Sequence, residues 1–273
     1  MRTLRGTSIL IIAGLALAST SEANPTTETA AAEKKEESAI DPKAIGALKQ
    51  MGAYLQKQNS FSVRTKSQTE YVLDNGQKVT IAADGDLRVQ RPDHLRADVT
   101  SDRKARQFFY NGKTFIMNAP EVGFYACVIA PPTLRELADE LSTRYGLQLP
   151  MVDLFRWGSP NYDTSDIKSA MYVGPAKLNG IDTDHYAFRQ PDVDWQVWIE
   201  RGAHPVPRKV VLTTTDDPAR PEYAVEMTWM LGVTHDPAEF AFTPPKDSQK
   251  IALSEVGKLP AGVARSARRR QPK

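Results

Sequence analysis

The sequence predicts a mainly β fold of antiparallel strands, interrupted by a helical insertion. Three observations predict it. Apolar and polar residues alternate over stretches such as 61–73 and 223–231, the period of a strand with one wet face. Tight-turn dipeptides, among them Asn75-Gly76, Asn111-Gly112 and Asn179-Gly180, separate successive stretches and force neighbouring strands to pair antiparallel. Between two runs of strands, Thr133-Leu134-Arg135-Glu136 has the form of a capping box and opens a helical pattern.

The elements follow in order. Asp41 suits a helix N-cap and Pro42 the first helical position. Ile45, Leu48, Met51 and Leu55 then give one apolar helix face. Strands are expected over 61–73, 78–83, 87–90, 95–100, 106–110 and 114–118, punctuated by Asp84-Gly85 and Arg91-Pro92. Residues 124–130 form an apolar run around Cys127, the single cysteine, which is read as a buried and inert thiol. In the insertion, Leu134, Leu137, Leu141 and Tyr145 share a helix face, and Gly146 can end that helix. Residues 150–157 add a short second helix. Strands resume over 171–173, 176–178, 184–189, 195–200, 209–215 and 223–231, with Tyr223, Val225, Met227, Trp229 and Leu231 on one face.

The two ends read differently. Arg2 and Arg5 precede an apolar run over 9–18, too short for the ~20 residues of a membrane-crossing helix. Ser21-Glu22-Ala23 puts small residues at −3 and −1 of a cleavage point. Residues 1–23 therefore read as a secretory signal cleaved after Ala23, and the mature protein is expected to be exported to the periplasm. Residues 24–40 form a polar leader, 41–250 a single domain, and 251–273 a flexible basic tail carrying Arg265, Arg268, Arg269, Arg270 and Lys273. No later stretch is apolar enough to span a membrane, so a soluble protein is expected. A net charge of +2 gives no argument for nucleic acid.

Nothing in the pattern asks for catalysis. His94, His185, His204 and His235 show no metal-ligand spacing, and there is no CxxC, HExxH, GxSxG or phosphate-binding glycine pattern. No catalytic residue, metal or cofactor is expected, and the chain is read as a non-enzyme. What stands out is apolar side chains in excess of one sheet face. In 195–200, Trp195, Val197 and Ile199 share a face while Trp198 projects from the other. Phe108, Phe115, Leu137, Leu141, Trp195, Trp198, Met227 and Trp229 are the candidates for lining an apolar cavity, with Trp195 the better candidate of the tryptophan pair for the interior.

The segments 195–200 (Trp-Gln-Val-Trp-Ile-Glu), 205–210 (Pro-Val-Pro-Arg-Lys-Val) and 240–245 (Phe-Ala-Phe-Thr-Pro-Pro), with Tyr110-Asn111-Gly112-Lys113 in the first half, resemble a family of predicted periplasmic proteins of unknown function. The resemblance covers about 41–245. That family is similar in fold to the lipoprotein carriers LolA and LolB, which implies an antiparallel half-open β-barrel with helices across its mouth as a lid. It carries over no functional residue. The first reading is a binding protein for an apolar small molecule or lipid, such as a lipoprotein acyl chain, held between sheet and lid. The second is a module with a filled core whose surface binds an envelope protein. An unrecognised hydrolase is the third.

Overall fold

Asp41 performs two tasks where α1 (Pro42–Gln56) begins. Its Oδ1 accepts from the Lys43 N–H at 2.8 Å, capping the helix, and its Oδ2 accepts from the Tyr172 N–H at 3.3 Å. Its own N–H donates to the Ala170 carbonyl at 2.9 Å. The helix start is thereby fastened to the edge of a sheet more than a hundred residues downstream. This computed structural model describes residues 40–149, 151–159 and 162–256. The expected signal peptide, the leader through residue 39 and the chain beyond 256 lie outside the described residues.

The first run of strands is a meander: β1 (Ser60–Val72), β2 (Lys78–Gln90), β3 (His94–Ser101), β4 (Ala105–Asn111), β5 (Thr114–Ala119) and β6 (Phe124–Ile129). The insertion supplies α2 (Leu134–Tyr145) and α3 (Asp153–Arg156). A second meander follows: β7 (Ser169–Leu178), β8 (Ile181–Gln190), β9 (Val193–Glu200), β10 (Pro207–Thr214) and β11 (Glu222–Leu231), and β12 (Gln249–Ile251) comes last. All join one 12-stranded sheet in the order β12-β6-β5-β4-β3-β2-β1-β11-β10-β9-β8-β7. Pairing is antiparallel except between β12 and β6. The two meanders meet where β1 pairs with β11, Phe61 opposite Leu231. The sheet stays open, with β7 and β12 as its edges.

Strand alternation assigns the faces. Phe61 and Val63 on β1, Leu87 and Val89 on β2, Leu95 and Ala97 on β3, and Met227 and Trp229 on β11 share the inner face. The helices cover it. Leu48, Met51 and Leu55 of α1, Leu134, Leu137 and Leu141 of α2, and Leu154 and Phe155 of α3 are buried in the same core. Each such side chain contributes about 1.5–3 kcal/mol by leaving water. The insertion leaves the sheet at β6 and re-enters it at β7, the opposite edge, so α2 and α3 cross the inner face. They form one layer with α1. Gly52 and Gly158 touch so closely that a Cβ on Gly52 would lie 2.6 Å from the Gly158 nitrogen. The Gln56 amide donates to the Trp157 carbonyl at 2.6 Å.

The structure departs from the sequence expectations at five places. Asp84-Gly85 does not break a strand, because β2 runs straight through it. Gly85 is there for room: a Cβ would meet Thr65 Oγ1 of the neighbouring strand at 2.4 Å. The segments 171–173 and 176–178 are likewise one strand, β7, with an irregularity between Tyr172 and Gly174. The apolar run around Cys127 is β6, with the thiol half-buried on the outer face. The second insertion helix is only Asp153–Arg156. At the far end, residues 252–256, read from sequence as tail, reach α2: Arg144 pairs with Glu255 at 2.9 Å and its carbonyl accepts from Val256.

A strap crosses the outer face before β12. Asp236 and Glu239 cap the turn Pro237–Phe240 reciprocally. Phe240 meets His94 edge-on at 5.1 Å, and Phe242 sits 5.2 Å from Phe109. Arg88 holds Glu239 at 3.1 Å. The strap explains why Phe109, on the face away from the helices, is buried.

Candidate functional site: a cleft between sheet and helices

The inner face changes character along β1. Phe61 and Val63 are fully buried, whereas Thr65, Ser67, Thr69 and Tyr71 on the same face are only half-buried. Opposite them on β2 stand Gly85, Ala83 and Ile81. Side chains at 67 and 83 are small and Gly85 has none, so this stretch of the inner face carries little side-chain volume of its own. Half-buried apolar residues pack against the core, among them Leu212, Tyr145, Leu147 and Met151.

A polar group occupies the interior between α3 and β11. Asp153 opens α3, and Tyr223 lies on the inner face of β11. Tyr162 follows α3 in the insertion. Asp153, Tyr162 and Tyr223 each keep part of their surface open. Yet burial raises the Asp153 carboxyl above the usual carboxylate range, against the opposing pull of Arg156. Burial, then the Asp153 charge, pushes Tyr162 and Tyr223 up to about 12, with Trp157 and Ser67 respectively pulling back. The Asp153 charge bears on both phenols, so the three stand near one another between α3 and β11.

Among the described residues, no hydrogen bond or ion pair is made to the Asp153 carboxyl, although Arg156 lowers its pKa through space. Arg156, on the same short helix, turns instead to Asp139 of α2 at 3.4 Å. The inner side thus carries small residues along β1 and β2, with a carboxyl and two phenols near α3 among apolar neighbours. Among the described residues, no three His, Cys, Asp or Glu side chains converge as metal ligands, and no helix is long and apolar enough to cross a membrane.

The eight residues proposed from sequence divide three ways. Phe115, Leu137, Leu141, Trp195, Met227 and Trp229 are buried on the inner side. They make the floor and the helix–sheet packing. Trp195 stacks on Phe188 with ring centroids 4.2 Å apart, and the Trp229 indole donates to the Pro207 carbonyl at 2.7 Å. Phe108 stays half-buried, stacked 6.2 Å from Phe115. Trp198 does not belong with the other seven. It lies on the outer face, stacked at 3.9 Å on His185 and beneath Lys209. The strand period sends it there, and desolvation beside it lowers the His185 pKa against the hydrogen bond to Gln196.

Sequence reasoning missed Asp153, Tyr162 and the role of Tyr223. A signal existed for the first: a lone acid within Met151-Val152-Asp153-Leu154-Phe155. Two further hollows, about 540 and 630 Å³, lie along the outer face of β1, β2 and β11. They are lined by side chains such as Lys66, Asp84, Glu226 and Arg64, several already paired, as in Arg64–Asp86 at 3.6 Å. Solvated, mutually compensated charges on a twisted sheet need no ligand.

Several solved structures are similar in the course of the chain. The lipoprotein LppX of Mycobacterium tuberculosis is 16% identical, with a TM-score of 0.46, over 72% of this chain and 100% of that one. LprF of Mycobacterium bovis is 12% identical, with a TM-score of 0.42, over 77% and 99%. A LolA superfamily protein of Nitrosomonas europaea is 10% identical, with a TM-score of 0.37, over 73% and 97%. Likeness at this level is likeness of fold. Among curated proteins, none matches the chain significantly. The sequence profile of the family described as "Predicted periplasmic protein (DUF2092)" matches residues 44–254, most of the chain, and the protein therefore belongs to that family of predicted periplasmic proteins.

Proposed function

We propose that the protein is a non-enzymatic periplasmic binding protein, freed of its signal peptide after Ala23, that holds an apolar chain in the recess between sheet and helices. One observation carries the reading. The inner face is fully buried at Phe61 and Val63 but only half-buried along Thr65, Ser67, Gly85 and Ala83, where side chains are small. A sheet face that only needed a core would be filled throughout. An acyl chain contributes ~0.8 kcal/mol for each CH₂ removed from water, so a modest hollow gives useful affinity without elaborate polar contacts. The test is native mass spectrometry and organic extraction of protein purified from the envelope. Copurified lipid is the expected result. Clean apoprotein that also fails to take up an apolar fluorescent probe would sink the proposal.

A second reading, contact with an envelope protein, draws on a different surface. Met171 and Val173 are 53% and 50% exposed on the edge strand β7. Exposed apolar side chains on an edge strand suit a partner strand. Crosslinking from position 173 in intact cells tests it, with a discrete adduct expected if this reading holds.

A further inference from the structure

Four of the nine large apolar side chains left exposed among the described residues lie along one edge of the sheet. Val122 precedes β6, Phe124 opens it, Ile129 ends it, and Ile251 ends β12. β12 covers only part of this edge, because it pairs with Phe124, Tyr125 and Ala126 and with no residue of 127–129. Ile129, in the uncovered part, is 85% exposed. Single exposed apolar residues are ordinary, whereas a gathered set marks a contact. The edge itself is near neutral. Lys113, Lys246 and Lys250 are exposed on or beside it, against Glu121 and Asp247, and Glu255 is held by Arg144.

Charge comes with the chain that follows. The described residues end at Val256, five positions past β12 and itself 62% exposed. Residues 257–273 then carry Lys258, Arg265, Arg268, Arg269, Arg270 and Lys273 and no acid. The opposite edge has no such neighbour. There the chain leading to Ile40 sets Lys34 and Lys35 against Glu28, Glu33, Glu36 and Glu37.

We propose that the β6–β12 edge docks on an anionic membrane surface, its exposed apolar side chains entering the headgroup region and the basic residues after 256 meeting the lipid phosphates. Lasting attachment without a spanning helix takes two contributions, apolar insertion and charge. The cations gain from anionic lipid within a screening length of the surface. Phe124, Ile129 and Ile251 gain by leaving water. Nucleic acid would use the cations and gain nothing from the apolar set.

The test is co-sedimentation of the chain lacking residues 1–23 with vesicles of phosphatidylcholine alone or with about one-third phosphatidylglycerol. Binding to the anionic vesicles only is expected, and it should be lost when salt rises from about 0.1 to about 0.5 M. A chain ending at Val256 should bind at least about tenfold more weakly. Val122→Ser with Ile129→Ser should also cost about tenfold. Thermal melts check that this variant folds, and Ile251→Ser with Val256→Ser is a second removal of apolar surface. Equal binding to both vesicles, no binding to either, or binding that survives the truncation would overturn the proposal. So would binding untouched by both serine pairs, or a short DNA duplex bound as tightly as the anionic vesicles. The assay needs nothing in the interior, so it fails or succeeds apart from the apolar-chain reading.

Discussion

Two stretches of one strand face sit side by side on β1 and behave oppositely. Phe61 and Val63 meet Leu87, Val89 and Trp229 under the helices and exclude water completely. A turn of pleat further on, Thr65 and Ser67 meet Gly85 and Ala83 and remain half-buried. The alternation is the same in both. Side-chain volume differs. Periodicity selects a face, whereas volume decides whether that face is filled.

Mutations should break the two stretches in different ways. The largest effect is expected on the filled side. Trp195→Ala removes a side chain that is 4% exposed and stacked on Phe188, and should cost about 3–5 kcal/mol in denaturant melts. A loss below about 1 kcal/mol would mean that the inner face at β9 is not tightly packed. Next comes the border between the stretches. Gly85→Ala drives a methyl against Thr65 Oγ1 and should cost about 1–3 kcal/mol, with Thr65→Ala in the same chain restoring part of it. No recovery in the double variant would show that the glycine serves something other than Thr65.

A smaller effect should follow on the outer face. Trp198→Ala loses its stack on His185 and the contact with Lys209. Half-buried stacking of this kind contributes about 0.5–1.5 kcal/mol beyond area. Binding of an apolar probe should not change, since Trp198 lies across the sheet from the recess, and a loss of probe binding would break the division into faces.

The smallest effect concerns Asp153 and its pH dependence. Its folded pKa lies above the unfolded value of about 3.9. The native state therefore holds more protons than the unfolded one between those two values, and stability should fall as pH rises from the lower to the higher. Asp153→Asn should flatten that part of the stability curve without lowering the plateau. An unchanged slope would show that the carboxyl is solvated and the recess open to water.

Much of this fold was legible in the sequence because each element carries a local signature. Asp41-Pro42 and the Thr133 cap marked two helix starts, and Asn75-Gly76 and Asn179-Gly180 marked hairpins now seen with Gly76 and Gly180 at positive φ. Gly85 misled because a glycine chosen for space looks the same as one chosen for a turn. β12 was not legible at all, since three exposed residues pairing with β6 leave no period to read. The recess was half legible. Tyr223 shared its face with Met227 and Trp229 in the alternation, but Asp153 acquires its meaning from Arg156 turning toward Asp139, a contact between helices that no spacing announces.

The seam between β1 and β11 has a consequence for the life of the chain before it functions. Phe61 pairs with Leu231 and Thr69 with Tyr223, so the central strand of the sheet lacks one neighbour until nearly the whole domain has been synthesised. Loop closure over such a separation is entropically costly and makes folding slow. The seam lets the sheet close only once β11, nearly the last strand of the domain, has reached β1.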